Sequence, residues 1–106
     1  MRFSSLLVAV AATTVPAQAF IAWSGDACDG DIGNMVPCDG SCHSFAGRHS
    51  FWAQASQDQP ACVAMYAGTG CTGQRFNFSN QVYLQCTNVN TGTNIQSFRC
   101  WNGICR

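Results

Sequence analysis

The residues best equipped for chemistry lie in one stretch, "CHSFAGRHSF", where His43, Arg48 and His49 fall close together, the two histidines six positions apart. Two imidazoles and a guanidinium can cleave RNA, one imidazole acting as base and the other as acid. A strongly basic phosphate-binding surface would accompany that activity, and the chain has no lysine. A metal site built on two histidines would need free thiolates to complete it, and the cysteines of this chain read as oxidised. The expected role of His43, Arg48 and His49 is therefore a polar loop that offers partner contacts. Trp52 joins them as a candidate. It follows Phe51, and adjacent strand residues point to opposite faces, so a buried Phe51 would expose Trp52 to stack on a sugar or anchor a protein.

Other chemistry is poorly supplied. The aspartates of "DACDGDIGN" (Asp26, Asp29 and Asp31) miss the 1-3-5 spacing and terminal glutamate of a calcium loop, and read as solvated turn residues. There is no GxSxG, no HExxH, and no glutamate to serve beside an aspartate as a glycosidase pair. No catalytic residue, metal or cofactor is expected. Asn77-Phe78-Ser79 is an N-glycosylation sequon.

Location comes from the first residues. Arg2, the apolar run "LLVAVAA" and "AQA" ending at Ala19 have the layout of a secretory signal peptide over residues 1–19, with cleavage before Phe20. A secreted, extracellular protein is the expectation. All eight cysteines (Cys28, Cys38, Cys42, Cys62, Cys71, Cys86, Cys100 and Cys105) lie in residues 20–106, and an even count in a small exported domain reads as four disulfides. So short a chain buries too little surface for a generous core, and cross-links must restrict its unfolded state. One disulfide-rich domain, monomeric, is expected over 20–106. Arg48, Arg75, Arg99 and Arg106 face Asp26, Asp29, Asp31, Asp39 and Asp58, a balance with no electrostatic grip on nucleic acid or on an anionic membrane. The polar surface is left to Asn, Gln, Ser and Thr, a composition that suits both a stable extracellular protein and one that meets carbohydrate.

The elements that must position these residues are β-strands. "FIAWSG", "MVPC", "HSFW", "CVAMYAG", "QRFNF", "VYLQC" and "IQSFRCW" are short runs rich in β-branched and aromatic residues, broken by Gly, Asn, Ser and Thr. In "RFNF" Phe76 and Phe78 share one face, and Arg75 and Asn77 the other. No stretch holds an apolar face at helical spacing; "FWAQASQDQ" offers one turn of helix at most. The chain also repeats itself. "WSGDACDG" at Trp23 and "YAGTGCTG" at Tyr66 pair Trp23 with Tyr66, Gly25 with Gly68, Cys28 with Cys71 and Gly30 with Gly73, all offset by 43. Cys38 then pairs with Cys86, and Ser50-Phe51 with Ser97-Phe98. Motif 1 would span about 20–60 and motif 2 about 61–106. Two sets of about four short strands imply a compact sandwich.

An aromatic, six residues and a glycine, followed later by a serine before an apolar strand, resembles the Greek key motif of the βγ-crystallin superfamily. The resemblance implies an all-β sandwich of two Greek key motifs, here stapled by four disulfides. It gives Trp23, Gly30 and Ser50, and Tyr66, Gly73 and Ser97, structural roles. Each aromatic and glycine would belong to a folded hairpin, and each serine would hydrogen-bond back across it. Many such domains bind calcium, but "FAGRHS" and "GTNIQS" lack the acidic pair and the preceding Ser or Thr of that motif. With its cysteines the chain looks more like small exported microbial relatives, among them killer-toxin-like proteins and protease inhibitors, and like small cysteine-rich proteins secreted by fungi. Equivalent cysteines making equivalent bridges would favour Cys28–Cys38 and Cys71–Cys86, leaving Cys42, Cys62, Cys100 and Cys105 for the other two. The resemblance implies a non-enzymatic interaction protein of the toxin, defence or host-effector type, acting on a cell-surface or wall target. A protease inhibitor presenting "NVNTGTN" (Asn88 to Asn94), or a wall-associated protein binding polysaccharide, are the alternatives. The partner is an extracellular protein or polysaccharide.

Overall fold

The structure, a computed structural model, describes residues 19–83 and 85–106. The expected signal peptide lies outside the described residues except for Ala19, which opens the first strand. Eight strands follow in order: β1 (Ala19–Trp23), β2 (Val36–Pro37), β3 (Cys42–Ser44), β4 (Ser50–Gln54), β5 (Ala61–Tyr66), β6 (Arg75–Gln81), β7 (Thr87–Asn88) and β8 (Ser97–Asn102). They form two antiparallel four-stranded sheets, β2-β1-β4-β7 and β3-β8-β5-β6, with no helix among the described residues. Each half of the chain keeps three strands in one sheet and sends its third strand to the other. Thus β3 pairs with β8, and β7 with β4.

The all-β expectation, the eight strands and the four disulfides are present. One local reading differs. Within "VYLQC", Val82, Tyr83, Gln85 and Cys86 belong to no strand: Val82 and Tyr83 leave β6, Tyr83 N–H donates to Ala55 O at 2.6 Å, and the strand comes later as β7. "FWAQASQDQ" is the end of β4 followed by a bend.

Between the sheets lies a phenylalanine core. Phe20 stacks on Phe98 at 3.9 Å and on Phe51 at 5.1 Å between centroids, while Phe45 meets Phe98 edge-on at 6.0 Å. Val63, Met65, Ala53 and Cys100 complete it. Burying one such ring contributes about 1.5–3 kcal/mol. In β6 the alternation holds: Phe76 and Phe78 pack against the core, and Arg75 and Asn77 are exposed. Strands β1 and β5 are buried along their whole length because both their faces are covered. Outside β1, Trp23 stacks near Trp52 at 6.0 Å and Trp52 meets Tyr83 at 5.3 Å. Outside β5, Arg75 lies over Tyr66 at 5.9 Å and over Trp101 at 5.2 Å.

The repeated octets form matching turns. Ser50 Oγ accepts from Cys28 N–H at 2.8 Å and donates to Gly25 O at 2.6 Å. Ser97 Oγ accepts from Cys71 N–H at 2.8 Å and donates to Gly68 O at 2.6 Å. Gly30 and Gly73 take φ +80° and +83°, where a side chain is strained, and Cys28 and Cys71 take φ 55° and 58°.

The disulfides correct the expected pairing. They are Cys28–Cys86, Cys42–Cys71, Cys38–Cys100 and Cys62–Cys105, not Cys28–Cys38 and Cys71–Cys86. Equivalent cysteines do make equivalent bridges, since Cys28–Cys86 and Cys42–Cys71 both span 6.0 Å between Cα atoms. The equivalence itself differs: Cys42, not Cys38, is the counterpart of Cys86. Because the third strands change sheets, a turn cysteine finds its partner beside the other half's third strand.

Candidate interaction surface

Three of the four candidate contact residues gather on one flank, where the β3–β4 link meets the β7–β8 link. Phe45 N–H donates to Gln96 O and Val89 N–H to His49 O, at 2.9 and 2.8 Å, which locks the two links together. Arg48 is half-buried between two clefts and lines both. The first, about 250 Å³, has Phe45 and Ile95 as its floor and His49, Asn90, Thr91 and Asn94 among its walls. The second, about 280 Å³, has Phe20 and Phe98 as its floor and His43, Asn34 and Ser44 around them. Neither lining holds an acidic side chain.

Each polar group has an anchor. Arg48 Nη1 donates to Asp31 O at 2.8 Å, and a Cβ on Gly33 would come within 3.3 Å of the guanidinium, so glycine makes room for it. His49 Nδ1 lies 2.6 Å from Ser24 O; a carbonyl only accepts, so Nδ1 carries the proton. His43 ends a chain of three. Ser41 Oγ donates to Asp39 Oδ1 at 2.5 Å, so its oxygen accepts from His43 Nε2–H at 2.8 Å. That hydroxyl, before any other cause, holds the Asp39 carboxyl below its ordinary pKa. The two histidines thus donate to separate acceptors and line separate clefts, whereas RNA cleavage needs both against one phosphate.

Trp52 lies elsewhere, on the outer face of β4. It is half-buried, its Nε1 is buried without a hydrogen-bond partner among the described residues, and the exposed ring beside it is Tyr83. The expected exposure of Trp52 is therefore only partial, because Tyr83 packs against it. Nothing in the sequence marks Asn90, Thr91 and Asn94 as neighbours of Arg48. Only the strand exchange, a long-range feature, brings them there.

The turn aspartates serve the first octet: Asp29 O accepts from Gly25 N–H and Asp31 O from Ser24 N–H, each at 2.9 Å. Asn77 is exposed on the outer face of β6, and its Oδ1 accepts from Arg75 Nε at 2.7 Å. No helix among the described residues is long and apolar enough to cross a membrane. No family model, curated protein or solved structure matches the chain.

Proposed function

We propose that this chain is a small secreted, non-enzymatic interaction protein of the toxin, defence or host-effector kind, acting outside the cell on a surface or wall target. The four disulfides support an oxidising, extracellular setting. The observation that carries the reading is the Arg48 flank. A guanidinium sits between two clefts whose apolar floors are ringed by amides, hydroxyls and imidazoles. Such a lining binds polyhydroxylated or anionic groups by hydrogen bonds.

The βγ-crystallin-like, double Greek key architecture belongs to the same proposal. Its supports are the exchanged third strands and the twin serine bonds across the turns. The flank's chemistry also favours the second reading, a wall-associated polysaccharide binder. The inhibitor reading has less behind it. A substrate-like loop must be extended, but Asn88 to Asn94 turns at Gly92 (φ +79°), and Thr91 Oγ1 accepts from Thr93 N–H at 3.2 Å.

Oxidised protein should be applied to fungal, bacterial and plant cells over a dose range, and sedimented with insoluble chitin and glucan. A reduced and alkylated control and Arg48→Ala run beside it. Cell killing or sedimentation that is lost on reduction and weakened at least tenfold by Arg48→Ala is expected, a loss of at least about 1.4 kcal/mol. Full potency of Arg48→Ala removes the flank from the mechanism, and inactivity in every arm removes the proposal.

A further inference from the structure

The sequon is not absorbed by the Arg48 flank, and it lies in a different part of the molecule. Among the described residues strand β6 is the edge of its sheet and pairs only with β5. An edge strand leaves main-chain groups free to recruit another chain, and folded proteins cover or charge such edges. Along β6 the side chains of Arg75, Asn77 and Ser79 are exposed. Asn77 Oδ1 must face Arg75, because a guanidinium can only donate, and this turns Nδ2, the atom that would carry a sugar, away from Arg75. Beyond Ser79 the chain makes a bulge: the register shifts against Ala61 and Val63, and Asn80 takes φ 58°.

Beside Asn77 and Ser79 runs a groove of about 440 Å³ whose far wall is Pro60 and the segment Gly103, Ile104 and Cys105. Cys62–Cys105 and the 2.9 Å bond from Gly103 N–H to Pro60 O hold that wall in place. Ile104 is 82 % exposed, the most open large apolar side chain among the described residues. A sequon asparagine at the lip of a groove, with an uncovered isoleucine opposite, has the layout of a glycan seat.

We propose that Asn77 carries an N-linked glycan whose first N-acetylglucosamine packs in this groove against Ile104. The bond formed joins Asn77 Nδ2 to the sugar's anomeric carbon; a lipid-linked pyrophosphoryl oligosaccharide of the secretory pathway supplies the glycan, its pyrophosphate leaves, and the amide gives up one proton. The acetamido-sugar's apolar face covers the isoleucine, and the glycan screens the β6 edge. The proposal shares with the proposed function the premise of secretion, here from a eukaryotic cell, and rests on nothing else in it.

The full chain, secreted from a eukaryotic host, is compared with the same protein trimmed to a single N-acetylglucosamine and with Ser79→Ala, which removes the sequon but keeps Asn77. The expected result is a wild-type mass that falls on enzymatic deglycosylation and a Ser79→Ala chain of unmodified mass. The Ile104 and Cys105 amides should exchange at least tenfold faster in Ser79→Ala than in the single-sugar form. Its Tm should be about 2–4 °C lower, and Ile104→Ser should abolish that difference. Folded, secreted wild-type protein of unmodified mass overturns the proposal and leaves the Arg48 flank untouched. A glycan whose removal changes neither exchange nor Tm overturns the seat.

Discussion

Replacing Ser97 by alanine tests the twin turns most directly. Ser97 is 1 % exposed, and its hydroxyl accepts from Cys71 N–H at 2.8 Å while donating to Gly68 O at 2.6 Å. Ser97→Ala leaves one main-chain donor and one acceptor without partners. Each costs about 1–3 kcal/mol when it stays dry. Both bonds are only part-buried, so water recovers some of the loss, and about 2–3 kcal/mol for the pair is expected. The turn does not open outright, because Gly68 N–H still donates to Thr72 O at 2.9 Å and Cys42–Cys71 still ties it down. At about 4–8 °C per kcal/mol for a domain of this size, the Tm should fall by about 10–20 °C. Ser50→Ala should cost the same, since its bonds have the same lengths. The two serines share no partner, so the double variant should show the sum within about 0.5 kcal/mol. Thermal and urea melts of the oxidised proteins measure this, and amide exchange localises it: Cys71 should lose protection in Ser97→Ala while Cys28 keeps it. Single-variant losses below about 0.5 kcal/mol, or an unchanged Cys71 amide, would refute the idea that the serines close the turns.

Two further outcomes follow from the same geometry. Gly73 takes φ +83° and a Cβ there would lie 3.1 Å from Gly68 N, so Gly73→Val should prevent recovery of folded protein; normal yield with the native disulfide map would contradict this. Asp39 should titrate below the ordinary carboxylate value in a side-chain NMR titration, and Ser41→Ala should bring it back up, because the Ser41 hydroxyl is the main cause of the depression. A folded pKa below the unfolded one means that the contribution to stability is complete above about pH 4 and is lost as the pH falls through the depressed value.

The repeat was legible because its turns demand particular residues. An aromatic, a glycine at positive φ and a serine able to bridge two main-chain groups leave a mark at fixed spacing. The longer strands were legible for a similar reason, since Phe76 and Phe78 alternate with Arg75 and Asn77. Strands β2 and β7 have two residues each, too few to carry a period, and β3 has three. For β3 and β7, membership of a sheet is decided by partners far along the chain, β8 and β4. The disulfide pairing failed at one alignment choice. Cys38 and Cys42 both compete for equivalence with Cys86, and only Cys42 keeps the offset rising steadily, 43 at the turn, 44 here and 47 at the serine. Requiring a steady rise would have found it. The Arg48 flank was half legible: its charged members cluster in sequence, whereas Asn90, Thr91 and Asn94 arrive from the other half.

The positions of the cross-links explain how strands so short hold together. Cys38 follows β2 directly, Cys42 opens β3, and Cys86 stands just before β7. These are the strands with the fewest ladder bonds, pairing over two, three and two residues. Each is tied to a well-anchored element: Cys38 to Cys100 in β8, and Cys42 and Cys86 to the turn cysteines Cys71 and Cys28. By loop-closure entropy, each bridge, closing 29 to 62 residues, restricts the unfolded chain by about 4 kcal/mol, though bridges that share loops do not add independently. The placement also bears on the Arg48 flank. The walls of its first cleft are the links that follow β3 and β7, and both strands are clamped at their N-terminal ends. A ligand meeting the flank finds loops already held in register by Phe45–Gln96 and Val89–His49 main-chain bonds, so little ordering entropy remains to be lost on binding. Reduction would free β3 and β7 together. It should abolish binding at the flank even where the phenylalanine core survives.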